Sequence, residues 1–152
     1  MTSFSTDTIQ QAMRVSGMIP VFYHAEVEVA KAVLDASYKG GVRVFEFTNR
    51  GENAFQVFTQ LLKHAQQYPD LMMGIGTLMN AEVTQKFCDA GAHFIVSPIL
   101  KAEMATVCHQ QNKLAKKTDG NCAVLPILSV FQNVFSIQTL FVSIENLSKR
   151  LF

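Results

Sequence analysis

Cysteine, charge and long apolar runs are all scarce in this chain of 152 residues, and each scarcity excludes a class. The three cysteines, Cys88, Cys108 and Cys122, are odd in number and widely spaced. They fit neither a CxxC zinc pattern nor a disulfide framework, so reduced thiols and a cytoplasmic setting are the expectation. The histidines at 24, 64, 93 and 109 have no metal-ligand spacing, and no metal site is expected. Charged residues make up only 16% of the chain and nearly cancel, at +1. Such a balance gives no electrostatic footprint for nucleic acid or an anionic membrane. The opening "MTSFSTDTIQQAMRVSG" has neither a basic start nor a continuous apolar stretch, so no signal peptide is read there.

What the chain does have is apolar content, 49%, enough for one domain with a sizeable core and against disorder. The spacing predicts a short helix over 6–17, stopped by Gly17, then an apolar strand at 18–23. A helix follows to the Gly40-Gly41 stop, with strand "VRVFEFT" at 42–48 after it. The stretch "ENAFQVFTQLLKHAQQYP" carries Phe55, Phe58, Leu62 and Ala65 on one helical stripe, and Pro69 ends it. Strand "LMMGIGT", a helix capped by Asn80, strand "HFIVSP" and a helix from Leu100 complete the regular part.

Apolar strands alternating with helices predict a parallel sheet covered on its faces, either a (β/α) barrel or a doubly wound open sheet. Both collect ligands at the C-terminal ends of their strands. From about residue 115 the rhythm breaks into the polar, turn-like "AKKTDGN". Beyond it Val130, Val134, Ile137, Phe141, Ile144 and Leu147 recur at helical spacing, with a strand reading also open.

The predicted strand ends carry Tyr23, Glu46 to Arg50, Gly76-Thr77 and Ser97-Pro98. On strand 42–48, period two sends Val44, Glu46 and Thr48 one way and Arg43, Phe45 and Phe47 the other. If the phenylalanines meet the helices, Glu46 faces the interior, where burial raises a carboxyl pKa. Arg50 offers a planar fork for a carboxylate. A plain Glu46–Arg50 ion pair explains the same residues, and the spacing does not separate the two readings. The glycines of "GIGT" allow a close approach to the backbone, or make a tight turn. His24, His93 and His109 carry little weight as catalytic groups.

Together, "MIPVFYHAEVEVAKAVLDASYKGGVRVFEFTNRG" and "GIGTLMNAEVTQKFCDAGAHFIVSPIL" resemble the 2-keto-3-deoxy-6-phosphogluconate / 4-hydroxy-2-oxoglutarate aldolase family, over about residues 14–114. The resemblance implies a TIM-type (β/α) barrel, stopping here after about four βα units. It implies two parts: residues 1–114 as the N-terminal half of an aldolase-like barrel, and 115–152 as an unmatched apolar tail packing on it. The implied activity is class I: reversible retro-aldol cleavage of 2-keto-3-deoxy-6-phosphogluconate to pyruvate and glyceraldehyde 3-phosphate through a lysine Schiff base. No cofactor is implied, and the implied partners are a 2-keto acid and further copies of the chain, a trimer by family habit.

Carried over residue by residue, Glu46 matches the family's general acid/base and Arg50 the arginine on the pyruvate carboxylate. Thr77 matches a nearby hydroxyl, and Pro98 lines the pocket. Tyr23 stands where many members have arginine. The family's Schiff-base lysine lies on the sixth strand in a "KxFP"-like context that has no counterpart here. Lys113, Lys116, Lys117 and Lys149 lie in polar surroundings, so no lysine is assigned. The alternative is a catalytically silent member that binds a 2-keto acid or serves assembly.

Overall fold

The computed structural model describes residues 4–117, all within one compact unit that ends at Asp119. The expected helix at 130–147, the tail's packing and Lys149 lie outside the described residues.

Chain order and spatial order coincide. Helix α1 (Thr6–Ser16) leads into strand β1 (Val21–Phe22), and helix α2 (Val27–Lys39) into β2 (Val44–Thr48). Helix α3 (Ala54–His64), prolonged by a 3-10 turn at Ala65–Gln67, precedes β3 (Met72–Gly76). Helix α4 (Ala81–Ala90) precedes β4 (Phe94–Ser97), and α5 (Ala102–Gln110) precedes β5 (Leu114–Lys117). The strands form one sheet in the order β1-β2-β3-β4-β5, and every neighbouring pair is parallel.

Local chemistry sets the helix ends. Ser5 caps α1 by accepting from Thr8 N at 3.1 Å, and Asn80 caps α4 by accepting from Val83 N at 2.9 Å, each worth about 1 kcal/mol. At the other ends Gly17 and Gly91 take left-handed φ of 63° and 105°, which a side chain would disfavour.

Two apolar layers flank the sheet. On one face Phe45, Phe47, Met73, Ile75 and Ile95 meet Leu34 of α2, Phe58 of α3, Phe87 of α4 and Met104 of α5. Ring centroids of Phe47 and Phe58 lie 6.3 Å apart, and those of Phe58 and Phe87 5.5 Å. These phenylalanines are fully buried, and each contributes about 2–3 kcal/mol. On the other face Ile9 and Met13 of α1 pack on Val44, Met72, Phe94 and Val96. Helix α1 thus covers the lower part of that face.

Sequential parallel strands with α2 to α5 all on one side are the winding of a (β/α) barrel. A doubly wound sheet would reverse its strand order and place helices on both faces, so that alternative falls.

Two expectations need correction. Strand 18–23 shrinks to Val21–Phe22, because it lies at an edge of the described sheet and pairs only with β2. The expected polar, turn-like stretch from 115 instead continues the pattern: Leu114–Lys117 pairs in parallel with β4. The four expected βα units are present, β1–α2, β2–α3, β3–α4 and β4–α5, and a fifth strand follows them. Parallel backbone pairing with β4 makes this strand, despite its polarity.

Candidate active site

The C-terminal halves of β2, β3 and β4 build the candidate site on the face that α1 packs against lower down. All five residues of β2 are buried, and alternation divides them between the two faces. Phe45 and Phe47 enter the helix layer, while Val44 joins the α1 layer. Glu46, only 8% exposed, shares the face of Val44.

Registers arrange the neighbours of Glu46 in rows. Glu46 is level with Gly74, and Gly74 with Phe94, which is level with Leu114. One step up, Thr48 is level with Gly76. A Cβ on Gly74 would collide with the Phe94 ring, and one on Gly76 with Glu46 Oε1. The glycines of "GIG" therefore seat a ring and a carboxylate belonging to the protein itself. A β-carbon at either would close that space.

Burial pushes the Glu46 carboxyl up to about 7, with the Arg50 guanidinium pulling the other way. Those two groups are not an ion pair. Among the described residues the pairs within 4.0 Å are Lys31–Glu28, Arg43–Asp70 and His64–Asp35. Arg50 is exposed just beyond β2, its N–H donating to Thr48 O at 3.0 Å. The simple pairing explanation of Glu46 and Arg50 thus fails on distance, and the fork of Arg50 faces solvent.

Thr77 follows β3 directly and adopts φ of 65°, strained for a β-branched residue. Pro98 is exposed at the end of β4. The adjoining Ser97 is fully buried and donates to Leu78 O at 2.7 Å while accepting from Ile99 N at 3.2 Å. It locks the loop bearing Pro98 to the loop bearing Thr77. The expected site residues Glu46, Arg50, Thr77 and Pro98 therefore stand at the ends of three successive strands.

Tyr23 is not part of this group. Its hydroxyl occupies the place a Gly51 Cβ would take and donates to Asn53 Oδ1 at 3.0 Å, while its ring packs on Phe47. His93 lies below β4, where Nδ1 accepts from Met73 N at 2.9 Å. One residue goes unassigned by sequence alone: Thr48, 1% exposed, whose Oγ1 has no hydrogen-bond partner among the described residues. Its alternation with Glu46 was the available signal, but only the structure reveals the unpaired hydroxyl.

Among the described residues no group of three or more His, Cys, Asp or Glu side chains converges as a metal would require. No helix among them is long and apolar enough to cross a membrane.

A family model described as "Aldolase: KDPG and KHG aldolase" matches residues 9–133. The 2-dehydro-3-deoxy-phosphogluconate aldolase of Zymomonas mobilis is 31% identical over 96 residues, covering 63% of this chain and 44% of that protein. Its counterpart in Dickeya dadantii is 30% identical over 120 residues, covering 79% and 51%. The chain thus spans about half the length of the curated relatives it matches. Among solved structures, the Zymomonas mobilis 2-keto-3-deoxy-6-phosphogluconate aldolase with 3-phosphoglycerate superposes with TM-score 0.63 at 28% identity, covering 72% of this chain and 50% of that one. The Legionella pneumophila KDPG aldolase, with pyruvate captured as a covalent carbinolamine, gives TM-score 0.58 at 27% identity, covering 65% and 47%.

Proposed function

The chain belongs to the KDPG and KHG aldolase family, and from that premise we propose that it binds the pyruvate part of a 2-keto acid above Glu46. The reaction it serves is the reversible cleavage of 2-keto-3-deoxy-6-phosphogluconate to pyruvate and glyceraldehyde 3-phosphate. A cytoplasmic setting and a homo-oligomer, a trimer by family habit, complete the reading. So does the division into a barrel half, residues 1–114, and a tail.

The observation that carries it is the buried Glu46, with a pKa of about 7, near the exposed Arg50, which has no ion pair within 4.0 Å among the described residues. A carboxyl group that titrates near neutrality gives and takes protons with similar ease. Retro-aldol cleavage needs both: a proton leaves the hydroxyl as the carbon–carbon bond breaks, and another reaches the new methyl carbon. Arg50 binds the substrate carboxylate through two parallel hydrogen bonds, which fixes the keto carbon near Glu46. Thr77 and Pro98 flank that carbon from the next two strand ends.

A second reading, binding without turnover, draws on one observation. Among the described residues no lysine lies within 4.0 Å of Glu46.

Ligand-observed NMR with pyruvate tests the binding, and pyruvate release from 2-keto-3-deoxy-6-phosphogluconate tests the turnover. We expect saturable binding that weakens about tenfold or more in Arg50→Ala, matching the loss of a charge-assisted hydrogen bond. Absent binding, or binding indifferent to Arg50, sinks the proposal. Binding without release selects the silent reading.

A further inference from the structure

We propose that Thr48 is a positioning residue for Glu46: its hydroxyl turns to donate to the Glu46 carboxylate once that group has released its proton. This deepens the reading above, in which Glu46 carries protons, and rests on it.

Burial supplies the first argument. Thr48 is 1% exposed, and its Oγ1 has no hydrogen-bond partner among the described residues. The other buried hydroxyls there are satisfied. Ser97 donates to Leu78 O at 2.7 Å, Thr84 to Asn80 O at 2.7 Å and Ser37 to Val33 O at 2.8 Å. An unpaired buried donor is costly, and the cost falls away when an acceptor comes within reach in another protonation state.

Register supplies the second. Thr48 is level with Gly76 and Glu46 with Gly74, so all four positions share one face. Glu46 Oε1 lies 1.9 Å from where a Gly76 Cβ would stand. The carboxylate thus fills the side-chain position directly beside Thr48, one strand spacing away, roughly 5 Å. Gly76 brings no side chain between them, and its backbone O already accepts from Asn49 N at 2.9 Å.

The shape of threonine supplies the third. A turn of about 120° around Cα–Cβ exchanges hydroxyl and methyl group within nearly the same volume. Turning Oγ1 toward β3 therefore needs no new space, and the bond it makes to an ionised carboxylate is of the stronger, charge-assisted kind.

Such a bond favours the ionised form and pulls against burial, the largest influence on Glu46. Arg50 pulls the same way from beyond the strand end. Nearby elements bring groups that do not titrate: Val21 and Phe22 of β1, Met72 and the glycines of β3, Phe94 and Val96 of β4, and Ile9 and Met13 of α1. Asp7 and Arg14 of α1 are exposed, and Lys116 shares the face by alternation three strands away on β5. Held through one oxygen, Glu46 keeps the other to take a proton from the ligand.

Carbon-13 NMR of the full chain, labelled at the glutamate carboxyls, reads the Glu46 titration without any ligand, and Glu46→Gln identifies the signal by removing it. We expect Thr48→Val to move the midpoint up by about one pH unit or more, the worth of one charge-assisted hydrogen bond. Thr48→Ala removes the same donor and should move it the same way, while Thr48→Ser keeps the hydroxyl and should restore it. A midpoint unchanged or lowered in the valine and alanine variants, or raised as far by Thr48→Ser, overturns the assignment. Pyruvate plays no part in this titration, so a chain that binds no pyruvate overturns the reading above and leaves these midpoints where they are.

Discussion

Glu46 of β2 lays its carboxylate across to β3, where Oε1 fills the space that a side chain on Gly76 would occupy. The glycine and the carboxylate form one feature made by two strands. Backbone bonding holds it from both sides: Glu46 N donates to Pro20 O at 2.9 Å, and Asn49 N donates to Gly76 O at 2.9 Å.

Gly76→Ala therefore cannot keep Glu46 where it is. The new methyl group forces the carboxylate aside or the strands apart, at a cost of about 1–3 kcal/mol. Urea denaturation should register that loss, and pyruvate binding should fall with it. A crystal structure of the variant with Glu46 unmoved would refute the seat.

The buried carboxyl gives a definite pH signature. Its pKa rises from 4.5 unfolded to about 7 folded, so the folded state holds the extra proton between those values. Stability from this group is full below pH 4.5 and is lost as pH rises through 7. Glu46→Gln stays neutral throughout and should be more stable than the parent at pH 8, by up to about 3 kcal/mol. The two should converge near pH 4.5. Denaturation curves at the two pH values decide it, and a gain that grows toward acid would contradict the burial argument.

Thr48 presents a fully buried hydroxyl without a partner among the described residues. Valine has nearly its shape and no hydroxyl to desolvate. Thr48→Val should therefore raise stability by about 1 kcal/mol, read as a higher melting temperature. A destabilised variant would mean that the hydroxyl does find a partner.

Much of this architecture was legible because local rules and tertiary contacts agree. Phe45 and Phe47 alternate with Val44, Glu46 and Thr48, and the structure sends the two sets to opposite layers. Asn80, Gly17 and Gly91 mark helix ends through cap geometry that depends only on neighbours in sequence.

What stayed illegible depends on partners distant in sequence. Leu114–Lys117 has no strand-like pattern of its own, and its structure comes from pairing with β4. Gly74 and Gly76 look like room for a ligand until their cross-strand neighbours, the Phe94 ring and the Glu46 carboxylate, are known. The reverse holds for Tyr23, whose position at a strand end suggested the site but whose hydroxyl bonds Asn53.

Spatial order equal to chain order also dictates how the sheet grows. Each strand docks on the one made just before it, so every pairing closes a loop of about one βα unit, and no late segment must thread between earlier ones. During synthesis the nook for the Glu46 carboxylate is finished when β3 settles, two strands before the described sheet is complete.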